Sequence, residues 1–230
     1  MSAQLAGARA DRIGRFAFLR NVARAIHIKA IDLHKTRALL VAISGVDGSG
    51  KTHLSIRLAE LLRSKNLNVA LIHIDAWQNP KTVRLAGAER AQHFYLHCIR
   101  FKELFARAVH PLVKARSLDL YTKGMPSDCD EPYDLEYHWQ EVDVVLLEGV
   151  FLFRRDLVGQ YDLRVWIECS FETAADRAVL RNVEHILPAQ LTSDYAEIYH
   201  AAQRIHFALD APRNAADIVI DNQLHSENLP

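Results

Sequence analysis

The chain has 230 residues, of which 50% are apolar and 24% are charged, as in an ordinary globular protein; we expect one α/β domain with a sizeable core, with two small domains as the alternative. Its 28 basic residues equal its 28 acidic residues, so no overall field draws it to nucleic acid or to an anionic membrane. No apolar run approaches the ~20 residues that cross a bilayer, and no apolar N-terminal core predicts a signal peptide.

The number and spacing of the cysteines indicate the cellular compartment. Cys98, Cys129 and Cys169 are scattered along the chain and form no metal-type pair. An odd, unpatterned number of cysteines indicates reduced thiols, so we expect a cytoplasmic protein. The sequence does not determine the oligomeric state, and a homo-oligomer is compatible with it.

The chain opens with a basic amphipathic segment. Its apolar residues alternate three and four apart, as on one stripe of a helix, while arginines such as Arg12 and Arg20 lie mostly off the stripe. We predict an N-terminal helical extension over residues 1–37, packed on the following domain with its basic face in solvent. A membrane-surface helix and an organelle transit peptide are the alternatives. The stripe consists of Phe16, Leu19, Ala23, Ile26, Ala30 and Leu33.

The most informative stretch follows, where the apolar run Leu39–Ile43 leads into GVDGSGKT at 45–52. The run predicts a buried strand, and leucines spaced i, i+4, i+7 and i+8 from Leu54 predict a helix. Strand, glycine-rich turn and helix are the context that a G-x-x-x-x-G-K-[ST] pattern, or P-loop, requires. In such a loop the N–H groups face inward as an anion nest, at the positive end of the helix. The sequence therefore predicts a nucleoside triphosphate site.

Each residue type in the loop has a physical role. The glycines let the backbone take positive φ and approach a ligand closely. Lys51 can reach the outer phosphates, and the Thr52 hydroxyl can hold the Mg²⁺ that accompanies them. The predicted nucleotide-binding residues are Gly45, Val46, Asp47, Gly48, Ser49, Gly50, Lys51 and Thr52.

Two further predicted strands end on acidic residues. The run that begins at Asn68 ends on Asp75, and the run 142–147 closes on Glu148. Because ligands of parallel sheets bind at the carboxyl ends of the strands, Asp75 and the P-loop should face one crevice. An acid at the end of a strand after the P-loop is the usual place to hold Mg²⁺ directly or through water. Glu148 is therefore the candidate metal acid.

A helical stretch and two short strands are predicted between these two strands. The chain looks helical over residues 84–114, with Pro111 interrupting late, and short strands are predicted over 117–122 and 133–139. A polar loop rich in glycine and proline separates the two short strands.

The late part of the chain combines a basic helix with a loop. A strand at 163–169 precedes a helix at 171–182, which carries Arg177 and Arg181 at i and i+4, hence on one face. Pro188 stops this helix and a polar loop follows. A helix with two arginines before such a loop indicates a small lid.

A last helix and a last strand complete the predicted domain. Residues 216–221 form the strand, and the tail at 223–230 is expected to fray. Five strands alternating with helices predict an α/β, three-layer fold with a mainly parallel five-stranded sheet, spanning residues 38–222. The last helix has an apolar stripe of Tyr195, Ile198, Ala202, Ile205 and Leu209.

Accessory residues narrow the class of P-loop protein. The chain has no Asn-Lys-x-Asp run to read guanine, and no ATPase-type tandem acids close the strand at 142–147. An acid after the second strand, a metal acid after the third and a lid with two arginines suit phosphoryl transfer to a small hydroxyl compound.

Five stretches stand in a distinctive order: GVDGSGKT at 45–52, HIDAWQNP at 73–80, LLEGVFLFR at 146–154, YDLRVWIECSFETAADRAVLRN at 161–182 and ADIVIDN at 216–222. With them the chain resembles the uridine kinase-like family of P-loop small-molecule kinases, which is related to phosphoribulokinase and pantothenate kinase. The resemblance covers residues 38–222 and implies a P-loop kinase fold that uses ATP and Mg²⁺.

The resemblance also implies roles at matching positions. Asp75 matches the acid that takes the proton from the acceptor hydroxyl, and Glu148 matches the acid near the metal. Arg177 and Arg181 match lid arginines that stabilise the transferring phosphoryl group. The lysine and threonine of the P-loop keep their phosphate and Mg²⁺ roles.

The acceptor pocket departs from the family pattern. His97 or Arg100 stands in a segment where the family carries an acid that would hold a ribose hydroxyl, and a cationic pocket of this kind would suit an acceptor that already carries negative charge. The candidate acceptor-binding residues are Trp77, Tyr95, His97, Arg100, Tyr121 and Arg204.

Three functions follow from this reading. A kinase for a nucleoside such as uridine or cytidine is the first hypothesis, and a kinase for a phosphosugar or a pantothenate-like compound is the second. The third, from a different class, is a P-loop protein that binds nucleotide as a regulatory or interaction module.

Overall fold

The computed structural model describes residues 2–33, 36–127, 129–181 and 193–223, with side chains described from Phe18 onward except at Arg181. The strands are β1 Leu39–Gly45, β2 Val69–His73, β3 Leu118–Gly124, β4 Tyr133–Trp139, β5 Val144–Glu148, β6 Leu163–Glu168 and β7 Ile218–Asp221. The helices are α1 Ser2–Leu33, α2 Lys51–Arg63, α3 Lys81–Arg84, α4 Arg90–His97, α5 Phe101–Leu104, α6 His110–Ala115, α7 Phe171–Arg181 and α8 His200–Asp210.

Five of the strands form one parallel sheet. Its order is β2-β5-β1-β6-β7, with β1 in the middle and every neighbouring pair parallel. Strands buried on both faces read as continuous apolar runs, and all seven residues of β1 are buried. Because β5 and β6 lie on opposite sides of β1, the chain changes direction across the sheet at β1, where ligands of such folds bind.

Helices cover both faces of the sheet. Successive side chains of a strand point to opposite faces, so Leu39, Val41 and Ile43 pack with α1 and α2. Leu40 and Ala42 pack in the other layer, with the helices between β2 and β3 and with α8. The predicted three-layer α/β fold with a parallel five-stranded sheet is confirmed.

The N-terminal helix α1 packs against this sheet through the predicted stripe. Leu19, Ala23, Ile26 and Ala30 are buried in the same cluster as β1 and α2, whereas Arg20 is exposed. Within the described residues, no helix is both long enough and apolar enough to span a bilayer. The division into an extension and a kinase domain stays a prediction, and residues 224–230 lie outside the described part of the chain.

The helical stretch predicted over residues 84–114 is in several pieces. Cys98, Ile99 and Arg100 separate α4 from α5, and a π-turn at Phe105–Val109 joins α5 to α6. Proline has no N–H, and its ring collides with the carbonyl four residues earlier in a regular helix. The wider turn just before Pro111, in which the His110 N–H bonds to the Phe105 carbonyl, relieves that conflict.

The stripe predicted for the last helix is only partly right. A second π-turn, at Tyr195–Tyr199, precedes α8 and inserts one residue into the helical repeat. As a result Leu209, predicted in the stripe, is 46% exposed. The polar residues His200, Gln203 and His206 are buried instead.

The two predicted short strands form a separate antiparallel ribbon. β3 and β4 pair from Leu118 opposite Trp139 to Gly124 opposite Tyr133. Trp77 anchors the ribbon to the domain, because its ring stacks on Tyr137 and its Nε1–H donates to the Tyr137 hydroxyl at 3.1 Å.

Candidate active site

The glycine-rich turn lies between the central strand β1 and helix α2. Gly48 and Gly50 have φ of 82° and 90°, the left-handed conformation that L-residues rarely adopt. A Cβ at Gly48 would lie 2.2 Å from the Ala174 carbonyl oxygen, and one at Gly50 would lie 2.6 Å from the Asn222 side chain. Sequence and packing thus both require glycine in this cradle, whose N–H groups precede the N-terminus of α2.

Lys51 folds back across the turn. It is 6% exposed, and its Nζ donates to the Val46 carbonyl at 2.9 Å. The end of β7 closes the other side, because Asn222 donates its Nδ2–H to the Ser49 carbonyl at 2.7 Å. The ammonium group is therefore held inside the cradle, where an outer phosphate would compete with the Val46 carbonyl for it.

A polar cluster formed by Glu148, Thr52 and His73 lies at the edge of the cradle. Glu148, at the end of β5, is 3% exposed, and its oxygens lie 3.3 and 3.4 Å from the Thr52 hydroxyl. His73, at the end of β2, bonds through Nδ1 to the same carboxylate at 2.7 Å. This hydrogen bond raises the pKa of His73, with the Glu148 and Asp75 charges adding to it against the opposing effect of burial.

The cluster offers the donors that Mg²⁺ prefers. A hydroxyl and a carboxylate meet at the edge of an anion cradle, and Mg²⁺ in such sites keeps waters and phosphate oxygens as its other ligands. In the described part of the chain no three His, Cys, Asp or Glu side chains form a metal cage. The Thr52 hydroxyl and the Glu148 carboxylate fit a metal that arrives with a nucleotide. The sequence reasoning missed His73, although its place two residues before Asp75, at the end of a strand, was a usable signal.

Asp75 follows β2 in a short 3₁₀ turn, Ile74–Ala76. It lines a cavity of about 170 Å³, which Asp47 of the P-loop lines as well. The two carboxylates therefore border one crevice at the carboxyl ends of the strands. The remaining lining residues are Gln78, Arg84, Phe94, Cys98, Ile99, Ser127, Val150, Ala178, Tyr195, Tyr199 and Gln203.

Several cavity residues were not singled out from the sequence. Tyr195 donates its hydroxyl to Asp47 at 2.6 Å, so the helix after the predicted lid contacts the P-loop directly. Arg84 and Gln203 are each 2% exposed and line the cavity. Burial also raises the pKa of the Cys98 thiol to about 12, so this thiol is neutral at physiological pH.

The predicted lid arginines are only partly described. The Arg177 guanidinium donates to the Asn222 carbonyl at 3.0 Å and lies 3.5 Å from the Cys169 sulfur. It therefore contacts the same Asn222 that closes the P-loop. Arg181 is the last residue of α7, and its side chain lies outside the described residues, as do residues 182–192 with the predicted stop at Pro188.

The candidate acceptor residues lie apart from this cavity. Trp77 is fully buried beneath the β3–β4 ribbon, and the Tyr95 hydroxyl bonds to Asp210 at 2.6 Å. None of the predicted six lines the cavity beside Asp75, because the segments that carry them turn toward the core or the surface.

Three of the other four candidates are exposed, and the fourth, Arg100, is partly buried. His97 is exposed at the end of α4. Arg100 pairs with Glu103 at 2.7 Å and lines a separate groove that also contains Tyr121, which is 63% exposed. Arg204 is exposed and stacks on the Phe171 ring at 5.0 Å.

A P-loop after the central strand of a five-stranded parallel sheet, with acids at the ends of β2 and β5, defines the fold of P-loop kinases. Comparison with solved structures identifies individual proteins that share this fold. A protein described as a possible uridine kinase from Bacillus stearothermophilus superposes with a TM-score of 0.67 at 20% identity, covering 88% of this chain and 99% of that one. The expected resemblance to uridine kinase-like P-loop kinases is confirmed as a likeness of fold.

Other solved structures share this fold. A candidate fructose transport system kinase from Silicibacter sp. TM1040 superposes with a TM-score of 0.69 at 22% identity, covering 88% of this chain and 98% of that one. D-glycerate 3-kinase from Cryptococcus neoformans does so with a TM-score of 0.58 at 12% identity, covering 89% and 95%. No family model matches the sequence, and no curated protein matches it.

Proposed function

We propose that this chain is a small-molecule kinase, which transfers the γ-phosphoryl group of ATP to a hydroxyl of its acceptor in the presence of Mg²⁺. The observation that carries the proposal is the shared cavity, which Asp75 lines together with Asp47 of the P-loop. A pure nucleotide binder needs the cradle alone. A carboxylate in the crevice beside it is the additional part that a kinase needs for the acceptor hydroxyl.

The reaction assigns each group a task. The acceptor hydroxyl oxygen bonds to the γ-phosphorus, the bond to the ADP oxygen breaks, and the hydroxyl proton passes to Asp75. Lys51 and the loop amides hold the phosphates and neutralise charge that develops on them. Arg177 and Arg181 are the proposed partners of the transferring group. Bound Mg²⁺ neutralises phosphate charge, and Thr52 and Glu148 would hold it.

The acceptor remains a choice between two groups of compounds. The resemblance puts a nucleoside such as uridine or cytidine first. A phosphosugar or a pantothenate-like acceptor is the second candidate, and a guanidinium inside the cavity, that of Arg84, favours it. The chain's three free thiols support the proposed cytoplasmic location.

The test is acceptor-dependent release of ADP. Purified protein is incubated with ATP, Mg²⁺ and, in turn, nucleosides, pantothenate, glycerate and phosphosugars. We expect one acceptor to raise the rate of ADP release above the rate measured without acceptor. The variant Lys51→Ala should abolish that increase and keep the wild-type far-UV circular dichroism spectrum, which shows that it is folded. If ATP binds but no acceptor raises its turnover, the regulatory or interaction module is the better account.

A further inference from the structure

Arg84 is a buried cation for which the described residues provide no ion pair. It belongs to the short helix α3 and is 2% exposed. Its guanidinium donates to the Asn79 carbonyl at 2.9 Å and to the Ser127 carbonyl at 2.7 Å. Among the described residues no carboxylate forms an ion pair with it. Two backbone carbonyls fix the position of the guanidinium, and within the described residues its charge acts on the exposed Asp130 carboxylate only through space, without an ion pair.

The buried charge of Arg84 lies at the wall of the candidate acceptor cavity. Removing a charge from water is costly unless an opposite charge or several hydrogen bonds compensate it. Arg84 lines the same cavity as Asp75, so a ligand there can reach both. An anionic group of the ligand would supply a direct ion-pair partner, and the planar fork of an arginine suits a carboxylate or a phosphate.

Gln203 is a second buried polar residue of this cavity, and one of its polar atoms lacks a hydrogen bond within the described residues. It follows the π-turn Tyr195–Tyr199, is 2% exposed, and its Oε1 has no hydrogen-bond partner in the described part of the chain. Buried acceptors are rarely left without a donor. A hydroxyl or N–H of a bound compound would satisfy this oxygen.

We propose that Arg84 and Gln203 select the acceptor, and that the acceptor is a compact hydroxy compound with a carboxylate or phosphate group. Its anion pairs with Arg84, a second hydroxyl or an N–H donates to Gln203, and the reacting hydroxyl faces Asp75. The inference rests on the proposed kinase function. A neutral nucleoside would leave the guanidinium unpaired, and a site discriminates strongly against compounds that leave its buried polar groups unpaired.

Matched pairs of compounds test this preference. Pantothenate with pantothenol and glycerate with glycerol differ by a carboxylate, whereas ribose 5-phosphate with ribose differs by a phosphate. ADP release gives kcat/KM for each compound, and titration calorimetry in the presence of ADP gives its binding independently of turnover. We expect the anionic member of at least one pair to be preferred by about 10–10²-fold, the effect of one charge-assisted hydrogen-bonded contact. Which pair responds distinguishes the carboxylate from the phosphate.

Two variants on different elements locate the preference. Arg84→Gln should remove it, mainly through KM of the anionic compound, and Arg84→Lys should restore part of it. Gln203→Glu leaves the loops held by Arg84 intact and places a carboxylate in the cavity, which should weaken the anionic member about tenfold or more. The control is Arg107→Gln, which removes an exposed guanidinium paired with Glu103 in the separate groove.

The outcomes separate this inference from the kinase assignment. Turnover of a neutral nucleoside with no preference in any pair would overturn the inference and leave the kinase standing. The same holds if Arg107→Gln, rather than the cavity variants, removes the preference. Absence of both binding and turnover for every anionic compound would also overturn it. Binding of an anionic compound that depends on Arg84, without any phosphoryl transfer, would sustain the anion site and refute the kinase.

Discussion

Replacing Gly48 by alanine tests whether the turn after β1 is the rigid cradle that the account requires. The residue has φ of 82°, and the left-handed conformation costs an L-residue about 1–2 kcal/mol. The new methyl group would also lie 2.2 Å from the Ala174 carbonyl oxygen. That oxygen belongs to the backbone of α7 and has no rotamer by which to move away, so the loop or the helix must shift, at about 1–3 kcal/mol.

The two effects together predict a loss of about 2–5 kcal/mol in the free energy of unfolding. Because a shifted loop turns its N–H groups away from the phosphates, we also expect the Kd for ATP to rise more than about tenfold, the equivalent of one lost hydrogen bond. Urea denaturation measures the first quantity and fluorescence titration with ATP in the presence of Mg²⁺ measures the second.

Gly159→Ala is the matched control. A Cβ at Gly159 meets nothing within 4 Å, and the residue lies in the short 3₁₀ turn Val158–Gln160. This change should leave ATP binding unaltered and either preserve stability or raise it by up to about 1 kcal/mol through the unfolded state. If the Gly48 variant unfolds at the same urea concentration as this control and binds ATP as tightly as the wild type, the cradle argument is refuted.

The remaining predictions concern single buried groups. Glu148→Gln should raise the Mg²⁺ concentration needed for tight ATP binding by about 10–10²-fold, and an unchanged Mg²⁺ titration would contradict the metal role. Burial lowers the pKa of His200; protonation then favours the unfolded chain, so the stability of the wild type relative to that of His200→Phe should fall as pH drops below about 6.5. Parallel urea-midpoint curves from pH 7 to 5 would contradict this. Asp210 accepts bonds from Tyr95 at 2.6 Å and His206 at 2.7 Å, so Asp210→Asn should cost about 2–3 kcal/mol; an unchanged urea midpoint would show that the network contributes little.

Local patterns in the sequence predicted the layers of the fold. The buried run of β1, the glycine turn and the leucines of α2 are contiguous in sequence, so the glycine-rich motif and the apolar patterns on either side of it identified the P-loop unit. The runs ending at Asp75 and Glu148 likewise predicted parallel strands, because strands buried on both faces are apolar throughout. The order of the strands did not follow from these runs, because β5 lies between the consecutive strands β1 and β2.

The acceptor cavity could not be predicted in the same way. Its walls come from the turn after β2, from α3 and α4, and from the π-turn before α8, and no local pattern shows that these segments meet. The π-turn changed the phase of the last helix, so that Gln203 became buried while Leu209 became exposed. Arg84 stood in a short polar stretch whose burial depends on the carbonyls of Asn79 and Ser127.

The most direct test of the kinase assignment is the effect of Asp75→Asn on phosphoryl transfer and on ATP binding, measured side by side with an acceptor found by the ADP-release screen. The account predicts that kcat falls by about 10²–10⁴-fold, because the proton acceptor is lost, while the Kd for ATP stays at its wild-type value. Wild-type turnover, or a loss of activity fully explained by weaker ATP binding, would contradict the placement of the acceptor hydroxyl at Asp75.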